Sequence, residues 1–251
     1  MEVKGHIVKW LKEYIKDSGM NGFVIGISGG IDSAVTSTLC ALTGFPVAAV
    51  SLPIHQDTKL HSLSKVQQKW LEDNFSNVLR SNLDLSQVYD AFELAVLSNE
   101  LGMANTKSRL RMAALYAISA RDGYLVAGTG NKVEDFGVGF FTKYGDGGVD
   151  LSPIADLMKS EVYELAKELG IPQEIQDAPP TDGLWEDGRV DEDQLSATYD
   201  ELEWAMSYNN DRKLSSREEE VLAIYAKHHK ANQHKMLPIP VCKCDEESVF
   251  V

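Results

Sequence analysis

The sequence is short of positive charge and of long apolar runs. It has 24 lysines and arginines against 38 aspartates and glutamates, which gives a formal net charge of −14. Nucleic acids and anionic membrane surfaces attract basic proteins, so we expect neither as a partner. No segment is apolar over the roughly 20 residues that a spanning helix needs, and the N-terminus lacks the apolar core of a signal peptide. We therefore expect a cytoplasmic protein.

Cysteine is also scarce. The chain has three cysteines, an odd number that does not indicate a disulfide framework. Cys40 lies in a helical pattern and is typical of a small core residue. Cys242 and Cys244 have no second cluster nearby, so we do not expect a metal site there. With 251 residues, 43% of them hydrophobic, and no evident linker or repeat, the chain is expected to form one compact unit.

Apolar runs alternate with helical patterns along the chain. The runs predict strands at 23–25, 46–54 and 124–128, with a brief one at 77–80. Three- and four-residue spacing of apolar residues predicts helices at 7–15, 34–42, 60–70, 86–98, 106–121, 159–169, 192–208 and 215–231. Residues 232–251 look irregular.

This alternation predicts right-handed βαβ crossovers and an α/β fold. The expected architecture is a doubly wound, mostly parallel sheet with helices on both faces. In such sheets, ligands bind at the carboxyl ends of the strands. That rule places Ser28–Ser33, Leu52–Ile54 and Thr129 near one crevice.

The stretch between the first strand and the next helix carries the clearest chemical signal. It reads Gly26-Ile27-Ser28-Gly29-Gly30-Ile31-Asp32-Ser33. Glycines let the backbone N–H groups turn inward, and the following helix N-terminus adds a positive dipole, so the turn suits an anion. The serine hydroxyls suit phosphate oxygens, and Asp32 suits magnesium beside a triphosphate. An ordinary strand-to-helix turn is the alternative, but it would not need the aspartate and both serines.

No lysine closes this loop, which therefore differs from the GxxxxGK[ST] nucleotide loop. The spelling S-G-G-I-D-S resembles the pyrophosphate loop of the N-type ATP pyrophosphatases. Those enzymes split ATP between the α and β phosphates and pass AMP to a substrate oxygen. The loop by itself leaves the substrate open.

Four further stretches narrow the resemblance. They read NTKSRLRM at 105–112, GTGNKVE at 128–134, FFTKYGDGGVD at 140–150 and LSPIADLMK at 151–159. In this order they resemble the ammonia-dependent NAD synthetases, and the TKYGDGG run is the most specific of them. The resemblance covers nearly the whole chain. It implies a single ATP pyrophosphatase/NAD synthetase domain over 1–251 with an adenine nucleotide alpha hydrolase-like fold.

The resemblance implies a ligase that forms a C–N bond. The expected reaction is the ATP-dependent amidation of deamido-NAD with ammonia to give NAD, AMP and pyrophosphate through an adenylated nicotinate. A carboxylate is a poor acyl donor, so its oxygen must first take AMP and become a good leaving group. Glutamine-dependent relatives carry an additional nitrilase-like domain, for which 251 residues leave no room, so free ammonia is the expected donor. The family further implies Mg²⁺ as cofactor and a homodimer with substrate bound across the interface.

The resemblance also implies roles for individual residues. Asp32 and Lys159 are the expected catalytic residues, and Asp32 and Glu134 the expected Mg²⁺ ligands. The expected ATP contacts are Gly26, Ile27, Ser28, Gly29, Gly30, Ile31, Asp32, Ser33, Thr129, Lys159 and Thr181. The expected deamido-NAD contacts are Arg109, Lys143, Asp150, His234 and Lys235. Glu134 as a solvated loop acid and Thr181 as a plain loop threonine are the alternatives.

Arg109 and Arg111 lie two residues apart on a predicted helix, roughly 200° around its axis, so only one can readily line the site. The family motif favours Arg109, which leaves Arg111 as a structural ion-pair partner. Two stretches depart from the family pattern. Residues 52–57 lack the usual glycine, and residues 135–139 vary, so the loop carrying Lys143 is expected to shift slightly.

Three other functions fit the loop less well. A GMP-synthetase-like enzyme leaves the Lys143–Asp150 stretch unexplained. A tRNA-lysidine-synthetase-like enzyme needs a basic RNA-binding surface, which a net charge of −14 opposes. A nucleotide sensor without chemistry would have little use for Asp32, Glu134 and Lys159 together.

Overall fold

A parallel sheet forms the centre of the molecule. The computed structural model describes residues 2–56, 58–185, 188–209 and 212–242. The strands of the sheet are β1 (Gly22–Gly26), β2 (Val47–Ser51), β3 (Val78–Asn82) and β4 (Tyr124–Val126). They pair in the order β3-β2-β1-β4, and every pairing is parallel. The predicted parallel α/β sheet is therefore confirmed.

Helices connect and follow the strands. Their bounds are α1 (Val3–Ser18), α2 (Ile31–Leu42), α3 (Thr58–Asn74), α4 (Ser86–Ala95), α5 (Glu100–Asp122), α6 (Lys159–Leu169), α7 (Gln173–Gln176), α8 (Asp191–Leu195), α9 (Tyr199–Ser207) and α10 (Ser216–Met236). A π-helical segment, Val133–Val138, lies between β4 and α6. In the part of the chain that the structure describes, no helix combines the length and apolar character needed to cross a membrane.

The sheet is covered on both faces because successive strand residues point to opposite sides. Phe23 and Ile25 of β1 pack into one core together with buried residues of α1, α2 and α6. Val24, from the same strand, packs into a second core with Val50 of β2 and with residues of α4 and α5. The doubly wound arrangement leaves the carboxyl ends of β1, β2 and β4 at one edge.

Three predicted elements differ from the structure. The single helix expected over 192–208 is two helices, because Ser196 adopts a left-handed φ of 61° and Thr198 starts α9 with a capping box. The predicted strand through Ile54 ends at Ser51, one residue before the Leu52-Pro53 step, where proline can donate no ladder hydrogen bond.

The third difference concerns the C-terminal part. Helix α10 continues to Met236, so the irregular structure expected from residue 232 is wrong for residues 232–236. Its start is as predicted: the Ser215 side chain accepts from the N–H of Glu218, and the Glu218 side chain bonds back. The His234-Lys235 pair therefore lies in the last turn of a helix. That residues 1–251 form a single domain stays a prediction.

Candidate active site

The loop after β1 has the conformation that the glycines indicated. Gly29 takes a φ of 98°, a region that residues with a Cβ rarely adopt. The Ser28 hydroxyl accepts a hydrogen bond from the N–H of Gly30 at 3.1 Å and lies 3.0 Å from the hydroxyl of Ser33. The two serines therefore hold the turn in shape at the start of α2, with the positive end of the helix dipole beside it.

A buried cluster of one lysine and two carboxylates lies beside this loop. Lys159 Nζ is 2.6 Å from Asp32 Oδ2 and 3.0 Å from Glu134 Oε1. The Lys159 side chain is only 3% exposed, and each carboxylate is 17% exposed. These residues come from α2, the π-helical segment and the first turn of α6, so the fold joins three distant parts of the chain.

The charges of the cluster depend on one another. Burial lowers the pKa of Lys159, but the negative charges and hydrogen bonds of Asp32 and Glu134 raise it by more. The pKa of the ammonium group therefore lies above its ordinary value. Burial raises the pKa of Asp32 above its usual range, and the charge of Glu134 adds to this. Burial also acts to raise the pKa of Glu134, but the charge of Lys159 and a hydrogen bond from Tyr199 lower it by more, so the pKa lies below its ordinary value. Lys159 is thus fully charged near neutral pH.

Two residues that sequence reasoning missed position this cluster. Asn131, which is fully buried, donates to Asp32 Oδ1 at 3.0 Å and accepts from the N–H groups of Val133 and Glu134. Tyr199 donates its hydroxyl to Glu134 Oε1 at 2.6 Å, and its ring lies 4.8 Å from Lys159 Nζ. The Gly-Thr-Gly-Asn run was a visible signal for Asn131, but no local pattern marks Tyr199.

A crevice of about 660 Å³ opens over the loop and the cluster. Of the residues predicted for ATP and metal, the crevice is lined by Gly26, Ile27, Ser28, Gly30, Ile31, Asp32, Ser33, Thr129, Glu134, Lys159 and Thr181. Gly29 lies within the same loop. The fold thus gathers the whole ATP-side and metal-side prediction at one place, although the contacts themselves stay predictions.

The residues predicted for deamido-NAD are less closely gathered. Among them Lys235 lines the crevice, where its Nζ donates to the carbonyl of Phe141. Lys143 donates instead to the carbonyl of His234 at 2.7 Å. Both oxygens of Asp150 are engaged, with the Tyr116 hydroxyl and the N–H of Val126. Arg109, Lys143, Asp150 and His234 do not line the crevice, so their role as substrate contacts stays a prediction.

Arg111 corrects one of the sequence predictions. Arg111, and not Arg109, lines the crevice. Its Nε donates to the carbonyl of Leu52 at 2.9 Å, and no ion pair with a carboxylate forms among the described residues. Arg109 is exposed and points its Nε to the carbonyl of Lys143 at 3.4 Å. The assignment of Arg111 as an ion-pair partner is therefore wrong.

Asp32 and Glu134 also fit a magnesium ion. Both carboxylates reach one common point, since both bond Lys159 Nζ. Mg²⁺ usually takes one or two carboxylates and completes its shell with phosphate oxygens and water. Over the described ranges, no group of three or more His, Cys, Asp or Glu could hold a metal ion, so nucleotide and water would supply the other ligands. Cys242 is exposed, and Cys244 lies outside the described residues.

Asp191 makes the stability of the protein depend on pH. Burial raises its pKa from 3.8 to about 7, with added repulsion from Glu134 and Asp182. The pKa of Asp191 is higher in the folded than in the unfolded protein, so ionising this carboxyl group lowers the free energy of unfolding. This loss of stability is absent below pH 3.8, grows as pH rises and is complete above pH 7. Each unit of pKa difference corresponds to about 1.4 kcal/mol. The loss of stability is therefore at most about 4 kcal/mol at pH 8 and about 2 kcal/mol at pH 5.

We therefore expect the Asp191→Asn variant to be more stable than the wild type at pH 8, with a difference that shrinks at pH 5. Urea unfolding of both proteins at the two pH values measures this. The control is Asp193→Asn, an exposed position on the same helix, which should change the free energy of unfolding by less than about 0.5 kcal/mol. A difference that is the same at both pH values would contradict the prediction.

The glycine loop lies at the carboxyl end of β1 in a parallel sheet, with the buried Lys–carboxylate cluster beside it. This arrangement is typical of a nucleotide-binding α/β enzyme. Comparisons with known proteins identify the family. The NAD synthase family model matches residues 3–238. An NH(3)-dependent NAD(+) synthetase of Mesoplasma florum is 37% identical over 246 residues, covering 94% of this chain and 95% of the relative. One of Finegoldia magna is 39% identical over 210 residues, covering 82% and 84%.

Among solved structures, an NMN synthetase from Francisella tularensis has a TM-score of 0.86 and 32% identity, covering 96% of this chain and 98% of that one. The chain belongs to the NAD synthase family. This confirms the predicted ATP-utilising ligase of NAD biosynthesis. It also confirms the expected adenine nucleotide alpha hydrolase-like fold.

Proposed function

We propose that the crevice holds ATP against the nicotinate carboxylate of deamido-NAD and transfers AMP to one carboxylate oxygen, with release of pyrophosphate. Ammonia then attacks the carbonyl carbon, a C–N bond forms, AMP leaves, one proton is lost and NAD results. The observation that carries this proposal is the charged Lys159, only 3% exposed, between Asp32 and Glu134 beside the glycine loop. A buried cation and backbone N–H groups at this place stabilise charge that develops on the phosphates.

The residues of the crevice take distinct roles in this proposal. The loop Ser28–Ser33 binds the phosphates through N–H groups and hydroxyls, and Thr129 and Thr181 add hydroxyls from two other segments. Asp32 and Glu134 would hold Mg²⁺, which would screen the negative charge of the phosphates. Lys159 then turns from the carboxylates towards a phosphate oxygen of ATP. Since the reaction consumes ATP to make a coenzyme, we place the enzyme in the cytoplasm.

The test combines purified protein with ATP, Mg²⁺, deamido-NAD and ammonium and follows NAD and AMP. We expect equal amounts of both products and no AMP when deamido-NAD is omitted. Glutamine in place of ammonium should give far less NAD. Release of AMP that does not depend on deamido-NAD would contradict the assignment of the acceptor.

A mononucleotide acceptor is the second candidate. Its support is the 32% identity and TM-score of 0.86 to an NMN synthetase, whereas an ammonia-dependent NAD synthetase from Campylobacter jejuni reaches 25% and 0.78. Nicotinate mononucleotide carries the same reacting carboxylate and lacks the adenylate half of deamido-NAD. Lys143 and Asp150, which are predicted to contact deamido-NAD, do not line the crevice.

The same assay with nicotinate mononucleotide distinguishes the two candidates. A higher kcat/KM for deamido-NAD assigns the dinucleotide as acceptor, and a higher kcat/KM for the mononucleotide assigns an NMN-forming amidation. Each additional well-placed charged hydrogen bond contributes roughly 1.5–3 kcal/mol, so deamido-NAD should lead by about tenfold or more if the protein binds its adenylate half.

We further propose that the protein is a homodimer that pairs through α4 and the start of α5. Exposed apolar side chains concentrate there, with Leu94 at 89%, Leu97 at 103% and Leu101 at 58% exposure. Val88 and Phe92 of α4 are also exposed, at 51% and 39%. Patches of this kind usually mark protein–protein interfaces in soluble proteins.

A charge in this surface should separate the protomers. We expect the double variant Leu94→Glu/Leu97→Glu to be monomeric at micromolar concentration, because a buried unpaired carboxylate is costly. Light scattering coupled to gel filtration measures the mass. Val3→Glu, at a half-exposed position at the start of α1, is the control and should leave the mass unchanged. A double variant that keeps the wild-type dimer mass places the interface elsewhere.

A further inference from the structure

Arg111 lines the crevice and carries a hydrogen-bond donor that has no partner among the described residues. Its Nε is bound to the carbonyl of Leu52 at 2.9 Å, but its Nη2 is closed off from solvent and has no hydrogen-bond partner among the described residues. A guanidinium carries five N–H donors, and leaving one of them buried and unbonded costs free energy. An arrangement of this kind is stabilised when a ligand supplies the missing acceptor.

The position of Arg111 links it to the nucleotide loop. Leu52 follows β2 directly, so the bond from Nε fixes the guanidinium at the carboxyl end of that strand. The loop Ser28–Ser33 follows the neighbouring strand β1 and lines the same crevice. Parallel strands end at one edge of the sheet, and this edge is where ligands of such folds bind.

Arg111 forms no salt bridge among the described residues, although Asp146 and Asp182 lie near enough to attract its charge. Three lysine or arginine residues line the crevice in the part of the chain described here. Lys159 is paired with two carboxylates, and Lys235 donates to a carbonyl. Within the described ranges, Arg111 has no carboxylate at salt-bridge distance. Burial lowers its pKa to about 10 against the attraction of Asp146 and Asp182, so it stays charged at neutral pH.

We propose that Arg111 binds a phosphate oxygen of a nucleotide in the crevice through its free Nη2 donor. The planar guanidinium matches phosphate geometry better than an ammonium does. The inference rests on the proposed function in one respect: both nucleotides of the reaction, ATP and the nicotinate nucleotide, carry such phosphates. The alternative is a purely structural link between α5 and Leu52, in which Nη2 never meets a ligand.

Direct binding measurements distinguish phosphate binding by Arg111 from a purely structural role. They also show whether the phosphate belongs to ATP or to the nicotinate nucleotide. The variant is Arg111→Met, and titration calorimetry follows Mg·ATP in one arm and deamido-NAD without ATP in the other. We expect the Kd to rise roughly 10- to 100-fold in at least one arm, as is usual for a lost charged hydrogen bond. Arg121→Met removes an exposed arginine from the far end of the same helix and should leave both constants unchanged.

The outcomes are distinguishable. Affinities within twofold of wild type in both arms overturn the role of Arg111. A wild type that binds neither nucleotide overturns the proposed function and this inference with it. If the methionine variant does not fold, Arg111→Lys replaces it, since lysine keeps the charge but loses the fork. That variant should bind about three- to tenfold more weakly in one arm, and wild-type affinity would overturn the proposal.

Discussion

Turnover of the Asp32→Ala variant is expected to fall by about a thousandfold or more, while its thermal midpoint stays close to that of the wild type. The loss in turnover follows because the variant lacks one of the two carboxylates that we assign to Mg²⁺. The fold should survive because Asp32, Glu134 and Lys159 together carry one excess negative charge. Removing Asp32 leaves Lys159 and Glu134 as a balanced pair 3.0 Å apart.

The measurement is steady-state NAD formation at saturating substrate, combined with calorimetric melting. Asp156→Ala is the matched control, because Asp156 is 97% exposed and its ion pair with Lys132 lies at the surface. It should retain both activity and stability. A large drop in the thermal midpoint of Asp32→Ala would mean that this carboxylate is mainly structural.

Removing the cation of the same cluster should, in contrast, lower the stability of the protein. Lys159→Met leaves two buried carboxylates without their cation, and breaking a buried pair in this way typically costs about 3–5 kcal/mol. Its kcat should fall about 100- to 1000-fold, because a cation beside the phosphates is lost. Mg²⁺ should stabilise this variant more than it stabilises the wild type, since Lys159 no longer competes for Asp32 and Glu134.

Thermal melting in the presence and absence of Mg²⁺, without nucleotide, measures the last effect independently of catalysis. Lys167→Met is the control, because Lys167 lies on the same helix with its side chain 61% exposed and pairs with Glu164 at the surface. It should melt like the wild type and respond equally to Mg²⁺. An equal Mg²⁺ response in Lys159→Met and wild type would argue against metal binding at these carboxylates.

The parts of the site that could be predicted are those with a local cause. The glycine loop needs a strand, a positive φ at Gly29 and a helix start, and a stretch of about a dozen residues determines all three. The parallel sheet follows from short apolar runs separated by helical patterns. For the same reason the predicted strand positions are largely correct. The differences lie at the ends of elements, such as the end of β2 at Ser51 and the break between two helices at Ser196.

The remaining parts depend on contacts between distant segments. Tyr199 lies 65 positions from Glu134 in the chain, and no periodicity marks its hydroxyl as the donor to that carboxylate. Arg111 was assigned from helix geometry and a family motif, which determine that two arginines face apart. They do not determine which of the two faces the crevice. That outcome depends on how α5 packs beside Leu52, and it is known only once the fold is known.

The π-helical segment Val133–Val138 has a consequence for how this site can change in evolution. It begins one residue before Glu134 and ends at Val138, just ahead of the loop that carries Lys143. A π turn holds one residue more than an α turn, and each residue of a helix rotates the next one by about 100°. Deleting a single residue here would therefore rotate Glu134 relative to the loop that carries Lys143 without altering either motif. The length of this short segment determines how Glu134 is oriented relative to the loop that carries Lys143.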